Sequence, residues 1–131
     1  MVAVTGGHLL DTSFVIDYWH GRSEAVTRME ELYAAGGPLL VNEVVVCELF
    51  AGLQPAEMDS ARRFLEPLEF IQPGPEAAAA AGRWRREAQA NGRTLNLADA
   101  LIAAAAQAAD AAVLTRNTRD FAISPVRVET Y

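Results

Sequence analysis

The stretch His8-Leu9-Leu10-Asp11-Thr12-Ser13 joins a short apolar run to a polar step that directly follows it. The apolar run is consistent with a buried strand, and threonine and serine favour the start of a helix. An acid at the end of such a strand lies where open parallel sheets place their ligands. The stretch therefore predicts a strand-to-helix turn that presents Asp11 at one edge of a sheet.

Short apolar runs and longer helical patterns alternate along the rest of the chain. We predict further strands at residues 38–41, 68–71, 112–115 and 126–128. We predict helices after Ser13, at 23–35 and 43–51, from 55, from 75 to about 91 and at 98–109, then a short helical turn. This alternation is typical of a parallel sheet covered by helices. We expect an α/β fold, an α/β/α sandwich with a central, mainly parallel sheet, in one domain spanning residues 1–131.

The composition is that of a folded domain with an acidic surface. Hydrophobic residues make up 51% of the chain, more than disordered segments contain. The net charge of −6, from 17 acids and 11 bases, argues against a general nucleic-acid binder. A nuclease that binds metal through carboxylates is the usual exception, because its site is itself acidic.

The cysteine content and the lack of a membrane span both bear on where the protein resides. Cys47 is the single cysteine, so no internal disulfide can form, and its apolar neighbours predict a buried thiol. No apolar stretch approaches the ~20 residues of a membrane span, and no targeting segment is evident. We therefore expect a cytoplasmic protein that does not use a membrane.

Four acids stand out by their context: Asp11 after a strand, Glu48 and Asp99 within apolar stretches, and Asp120 after the strand at 112–115. A carboxylate in an apolar setting is unfavourable unless it is paired, hydrogen-bonded or bound to metal. Several converging carboxylates also repel one another, and a divalent cation removes that repulsion. Oxygen ligands alone favour Mg²⁺ or Mn²⁺.

Each acid also has a local explanation. Asp11 alone is explained as a helix cap, and Asp99 follows Asn96 at a spacing that favours a helix N-terminus. Asp120 alone is most often a solvated helix residue. Asp17 lies six residues beyond Asp11, so we expect it to be solvated or to cap a helix. Only the order and spacing of the four acids together favour a metal site.

Four motifs carry a resemblance over nearly the whole chain: LLDTS at 9–13, VVCEL at 45–49 with Gly52-Leu53, LADALIA at 97–103 and LTRNTRDF at 114–121. In this order they resemble the PIN-domain family and, within it, the VapC-type toxins. The resemblance implies a PIN-like fold. It also implies a magnesium-dependent endoribonuclease that hydrolyses RNA phosphodiester bonds as the toxin of a toxin–antitoxin pair.

The resemblance also implies roles for single residues. Asp11, Glu48 and Asp99 match the metal-binding acids. Many PIN domains have an acid where this chain has Asn117, so Asp120 supplies the nearest fourth catalytic carboxylate, and Asn117 is an alternative through its amide. Supporting contacts are expected from Thr12, Thr115 and Arg116. Arg116 or Arg119 would neutralise developing charge, although a solvated surface arginine is an equal alternative for each.

The partners implied are an RNA substrate, a cognate VapB-type antitoxin and a second copy of the chain. We expect the homodimer to form through the helices at 23–35 and 56–65. We expect an antitoxin arginine to reach the acid cluster, and Trp19, Tyr33 and Phe50 to line a groove for an apolar part of the antitoxin.

Other functions stay open at this point. A housekeeping or DNA-directed PIN nuclease, and a catalytically inactive PIN-like interaction module, both fit the same motifs. A dehalogenase-type phosphatase would need a second aspartate where Ser13 stands, which argues against that class.

Overall fold

A five-stranded parallel sheet forms the centre of the computed structural model, which describes residues 6–131. Its strands are β1 (His8–Leu10), β2 (Leu39–Val41), β3 (Glu69–Phe70), β4 (Ala112–Leu114) and β5 (Val128–Glu129). They lie in the order β3-β2-β1-β4-β5, and every neighbouring pair is parallel. The predicted α/β class with a parallel sheet is confirmed.

Helices connect each strand to the next. They are α1 (Thr12–Trp19), α2 (Ser23–Ala35), α3 (Glu43–Ala51), α4 (Met58–Leu65) after a 3-10 turn at Pro55–Glu57, α5 (Pro75–Ala90), α6 (Leu97–Ala108) and α7 (Thr118–Phe121). From β1 the chain first crosses towards β3 and later back towards β5. Because such crossovers are right-handed, connections in opposite directions place helices on both faces of the sheet.

The register between β1 and β4 determines what lies at the edge of the sheet. Leu10 pairs with Leu114, and the Asp11 N–H donates to the Leu114 carbonyl at 3.0 Å. The residues that follow these two strands, Asp11 and Thr115, are therefore neighbours at the carboxyl edge. This is where the sequence places the first acid.

An alanine-rich segment lets α6 approach the sheet closely. Residues 103–106 of α6 are four consecutive buried alanines, and the helix packs on β1 and β4. The small side chains allow the helix backbone to come near the strands, so Asp99 in the first turn of α6 is brought to the same edge. The predicted cap of this helix is confirmed, since the Asn96 side chain accepts a hydrogen bond from the Asp99 N–H.

Four predicted strands are shorter or displaced: β2 begins at Leu39 instead of 38, and β4 ends at Leu114 instead of 115. Pairing at β3 covers only Glu69–Phe70 of the predicted 68–71, and β5 comprises Val128–Glu129 instead of 126–128. Val126 is nevertheless buried, because it packs into the core from the loop before β5. Its apolar character reflects this packing and not strand pairing.

The predicted burial of Cys47 is wrong, because its side chain is exposed. On α3 the buried residues are Val45 and Leu49, four positions apart on one face of the helix. Cys47 lies between them in sequence and so projects from the opposite side. Among the described residues, no helix is long and apolar enough to cross a membrane.

Candidate active site

Asp11 is held by hydroxyl groups at the carboxyl ends of the two central strands. The Thr115 Oγ1 donates to Asp11 Oδ2 at 2.7 Å, and the Ser13 Oγ donates to the same oxygen at 3.0 Å. Asp11 occupies the cap position of α1, yet its side chain makes no capping hydrogen bond. Helix capping alone therefore does not explain this acid, which is only 5% exposed.

Glu48 reaches the same region from α3. Its carboxylate is exposed, and its Oε1 accepts a hydrogen bond of 2.6 Å from the Thr12 hydroxyl at the start of α1. The apolar residues around Glu48 in the sequence lie on other sides of the helix. The glutamate thus faces the residue that follows Asp11, and the two acids approach from different elements.

Asp99 takes part in the N-terminal cap of α6, as its spacing of three residues from Asn96 predicts. Its N–H donates to Asn96 Oδ1 at 2.8 Å, and the Asn96 Nδ2 donates back to Asp99 Oδ2 at 2.9 Å. The pair closes the first turn of α6. One carboxylate oxygen of Asp99 makes no hydrogen bond within the described residues, so the cap does not occupy the whole group.

Four carboxylates from four segments lie within electrostatic reach of one another. Burial, followed by the negative charges of Asp11 and Asp120, raises the pKa of Asp99 to about 6, and the charge of Glu48 adds to the same effect. The hydrogen bond from Asn96 lowers the pKa and only partly compensates. The cluster therefore carries unresolved repulsion between carboxylates.

The donor chemistry of this cluster fits a divalent cation, but the side chains are not arranged around one. Within residues 6–131, no three His, Cys, Asp or Glu side chains stand in an arrangement that could hold a metal ion. Glu48 is turned to Thr12 and Asp99 to Asn96. A cation would have to draw these oxygens together, replacing two hydrogen bonds and removing the mutual repulsion. The ligand set Asp11, Glu48 and Asp99 stays a prediction.

The two residues predicted for the fourth position, Asp120 and Asn117, are exposed and lie in the segment after β4. Asp120 lies in α7, and its charge contributes to the raised pKa of Asp99. Asn117 precedes α7, and its N–H donates to Thr115 Oγ1 at 2.9 Å. The Asn117 backbone thus supports the hydroxyl that holds Asp11, and the carboxylate of Asp120 stays close to the other acids.

Arg116 forms an ion pair with Asp17, an acid that was predicted to be solvated or to cap a helix. Its Nη1 lies 2.8 and 2.9 Å from the two carboxylate oxygens of Asp17, and the Arg22 Nε and the Tyr131 hydroxyl also contact Asp17. Asp17 is only 3% exposed, so its predicted solvation is wrong. The Arg116 N–H donates to Ser13 Oγ, which links this ion pair to the Asp11 site.

Helical periodicity was the one signal for the burial of Asp17. The residue lies three and four positions after Phe14 and Ser13, on the face of α1 that is buried. Its partner Arg116 is 99 residues away in sequence, so the pair itself had no local signature.

The predicted aromatic groove is only partly assembled. Trp19 is half-buried, packs edge-on against Phe64 and donates to Glu57 at 3.3 Å. The guanidinium of Arg62 lies over the ring of Phe50. Arg62 and Phe64 both belong to α4. Tyr33 is 50% exposed on α2. Trp19 and Phe50 therefore border α4, and Tyr33 offers a separate exposed ring.

Comparisons with known proteins agree with this architecture. The family model described as PIN domain matches residues 8–123. Ribonuclease VapC19 of Mycobacterium tuberculosis is 31% identical over 117 residues, which is 89% of this chain and 94% of that protein.

Solved structures of similar fold come from toxin–antitoxin complexes. The toxin-antitoxin complex from Klebsiella pneumoniae contains a chain with 30% identity and a TM-score of 0.77, covering 94% of this chain and 96% of that one. VapBC2 from Rickettsia felis, bound to a DNA fragment from its promoter, has a chain with a TM-score of 0.82 at 23% identity. That match covers 95% of this chain and 98% of the other. The second match shows the fold alone.

Proposed function

The chain belongs to the PIN domain family, and from this premise we propose that it is a metal-dependent endoribonuclease, the toxin of a VapBC-type pair. One observation carries the proposal: four carboxylates from separate segments lie within electrostatic reach of one another, and burial together with their repulsion raises the pKa of Asp99 to about 6. A divalent cation stabilises such a cluster because it neutralises the repulsion between the carboxylates.

The chain's own residues hold the cluster ready. Thr115 and Ser13 hold one oxygen of Asp11 through their hydroxyls, and Thr12 holds Glu48. Asn96 donates to one oxygen of Asp99, and the other oxygen makes no hydrogen bond within residues 6–131. The ligands proposed are Asp11, Glu48 and Asp99, with Asp120 as the fourth acid. The contacts to Asp11 orient that carboxylate, whereas Glu48 and Asp99 would each exchange a hydrogen bond for the cation.

A divalent cation bound by these acids polarises a phosphate and lowers the pKa of an attacking water. Mg²⁺ is proposed, with Mn²⁺ as the alternative, because all the available donors are oxygen atoms. With the cation bound, Asp120 would be the carboxylate available to receive the proton of that water, because it is not one of the three proposed ligands. Arg116 is a positioning residue, because its guanidinium is bound to Asp17 and its N–H to Ser13.

The experiment that tests the proposal compares RNA and DNA cleavage with Mg²⁺, Mn²⁺ and EDTA. We expect cleavage of single-stranded RNA with either cation and none with EDTA. Asp99→Asn should reduce the cleavage rate by at least about a hundredfold, since it removes a ligand from the reacting centre. The matched control is Asp59→Asn, the same change at an exposed acid of α4 outside the cluster. Equal loss in both variants, or cleavage that persists in EDTA, contradicts the proposal.

The proposed partner is a VapB-type antitoxin. Four carboxylates at an exposed edge attract an arginine, which can satisfy them with charge-assisted hydrogen bonds. Such an arginine competes with the cation for the same oxygens. Co-expression with the product of the neighbouring gene should restore growth, and raising the Mg²⁺ concentration should weaken inhibition. A chain that is harmless alone, and that its neighbour neither binds nor inhibits, is a housekeeping nuclease instead.

A further inference from the structure

Most arginines that lack a carboxylate partner within the described residues lie on α5, just after it or in α7. Five arginines pair with acids: Arg22, Arg28, Arg62, Arg116 and Arg127. The arginines that form no ion pair within residues 6–131 are Arg63, Arg83, Arg85, Arg86, Arg93 and Arg119. In a chain with 17 acids and 11 bases, partners for surface arginines are plentiful. The lack of such partners for the arginines of α5 and α7 therefore needs an explanation.

Four of these arginines line two adjoining cavities. The first has a volume of about 390 Å³ and is lined by Arg85, Arg86, Gln89, Arg93, Thr94 and Leu95. The second, of about 460 Å³, is lined by Arg93, Thr94, Arg119, Asp120, Ala122 and Ile123. Both cavities share Arg93 and Thr94, so they lie side by side on the surface. We call Arg85, Arg86, Arg93 and Arg119 the arginine track.

The track leads to the acid cluster. Asp120 lines the second cavity, and the charge of Asp120 acts on Asp99. At the far end, Arg85 is partly fixed, because its Nε donates to the Leu95 carbonyl at 3.0 Å and its two terminal nitrogens make no hydrogen bond within the described residues. A guanidinium held in this way presents its remaining donors in a plane that suits a phosphate group.

We propose that the arginine track binds the sugar–phosphate backbone of single-stranded RNA on the Asp120 side of the acid cluster. The identity of this polyanion rests on the proposed function. Cationic groups spaced along a groove contact successive phosphates and bind without regard to base sequence. The acid cluster repels phosphate, so a chain of net charge −6 needs a local positive field to bring RNA to the reacting centre. An acidic peptide is the weaker alternative, because the reaction proposed at the acid cluster acts on a phosphodiester and not on a peptide.

The test measures binding apart from cleavage. A fluorescent single-stranded oligouridylate is titrated in EDTA with Asp99→Asn and with the same chain carrying Arg86→Gln and Arg93→Gln. We expect the Kd to rise about tenfold or more. The slope of log Kd against log salt concentration should fall by about 1.4, that is about 0.7 for each phosphate that an arginine no longer neutralises. Thermal melting checks that both proteins are folded.

The matched control replaces Arg63 and Arg83, which also lack a carboxylate partner among the described residues but line neither cavity. Arg63→Gln with Arg83→Gln removes the same charge, and we expect the Kd to change less than about twofold. Equal weakening by the two pairs overturns the proposal, because net charge then explains the binding. Unchanged binding in the track variant overturns it as well.

Cleavage by the otherwise unaltered chain separates this inference from the proposed function. The track variant should show a raised KM with kcat nearly unchanged, because the two replaced arginines lie outside the acid cluster. If this variant cleaves RNA with an unaltered KM, the proposed nuclease activity is supported and the proposed role of the arginine track is contradicted. If the parent chain binds RNA through the arginine track but does not cleave it, the proposed nuclease activity is contradicted and the proposed role of the track is supported. A parent chain that neither binds nor cleaves RNA overturns both.

Discussion

One nitrogen of Arg116, Nη1, lies within 2.9 Å of both carboxylate oxygens of Asp17. The acid is buried and the arginine half-exposed, with side-chain exposures of 4% and 52%. The contact fastens the segment after β4 to α1, the helix that begins beside Asp11. Burial and the neighbouring Asp17 raise the pKa of the Tyr131 hydroxyl, which therefore stays a donor to Asp17 at neutral pH.

The first prediction concerns the stability of this ion pair. Asp17→Asn removes a buried charge on which Arg116, Arg22 and Tyr131 converge, and should lower the free energy of unfolding by about 1–3 kcal/mol. Urea denaturation measures the change. The control is Asp110→Asn, which breaks the exposed pair with Arg127 and should cost less than about 1 kcal/mol. Equal losses would mean that burial of Asp17 adds nothing.

The second prediction concerns the hydroxyl that holds Asp11. Thr115→Val removes the 2.7 Å hydrogen bond to Asp11 Oδ2 without changing the shape of the side chain much. We expect Mn²⁺ binding, measured by calorimetry, to weaken about tenfold, since outer contacts of this kind orient the ligands. The same change at exposed Thr118, Thr118→Val, should leave Mn²⁺ binding as it is. Retained affinity in Thr115→Val would show that the hydroxyl is not needed to orient Asp11.

The third prediction concerns Asp99 and pH in metal-free buffer. The pKa of Asp99 is about 6 in the folded chain, against about 3.9 in an unfolded one, so the folded chain binds this proton more tightly. Stability therefore falls as the pH rises between these two values, and the loss is complete above about pH 7. Asp99→Asn should abolish that loss.

Above about pH 7, Asp99→Asn should be more stable than the parent by about 1 kcal/mol, after allowance for solvent screening at this partly exposed group. The gain should disappear below about pH 4 and reverse when a divalent cation is added, because only the parent then gains from binding. Thermal melting with EDTA and with Mg²⁺ measures both effects. A variant less stable than the parent in EDTA near pH 8 would contradict the repulsion inferred here.

The fourth prediction is the homodimer. On α2, Met29 and Leu32 are buried within the chain's own core, so Tyr33 is the exposed large apolar residue that this helix offers a partner. Light scattering at micromolar concentration should report a dimer, and Tyr33→Arg should shift it towards monomer. Phe70→Arg changes an equally exposed aromatic residue on β3 and serves as the control. A monomer in the parent chain would contradict the prediction.

The sequence predicted elements whose signals are local. The apolar run before Asp11 and the caps Asn42 and Asn96 are found where they were predicted, because strands, caps and turns depend on neighbouring residues. The four acids were recognised from motifs, and the structure brings them into electrostatic reach. Their exact side-chain directions were not predictable, since Glu48 and Asp99 choose between a cation and nearby hydroxyl or amide groups.

Features that depend on distant segments were missed. The partner of Asp17 is 99 residues away, and no local pattern announces it. Cys47 was assigned to the core from its apolar neighbours, although its own side chain projects away from them on α3. The arginine track joins α5 to α7 through two cavities, which sequence order alone does not bring together.

The central position of β1 has a consequence for a ribosome that synthesises this chain. β1 needs β4 as one of its two neighbours, and the fourth acid, Asp120, follows β4. Until that segment has emerged, Asp11 lacks the Thr115 hydroxyl and Asp99 lacks the charge of Asp120. Pairing between segments so far apart is also slow to form. The nascent chain therefore lacks a complete acid cluster through most of its translation. An inhibitor synthesised nearby can accumulate during that time and bind as soon as the cluster forms.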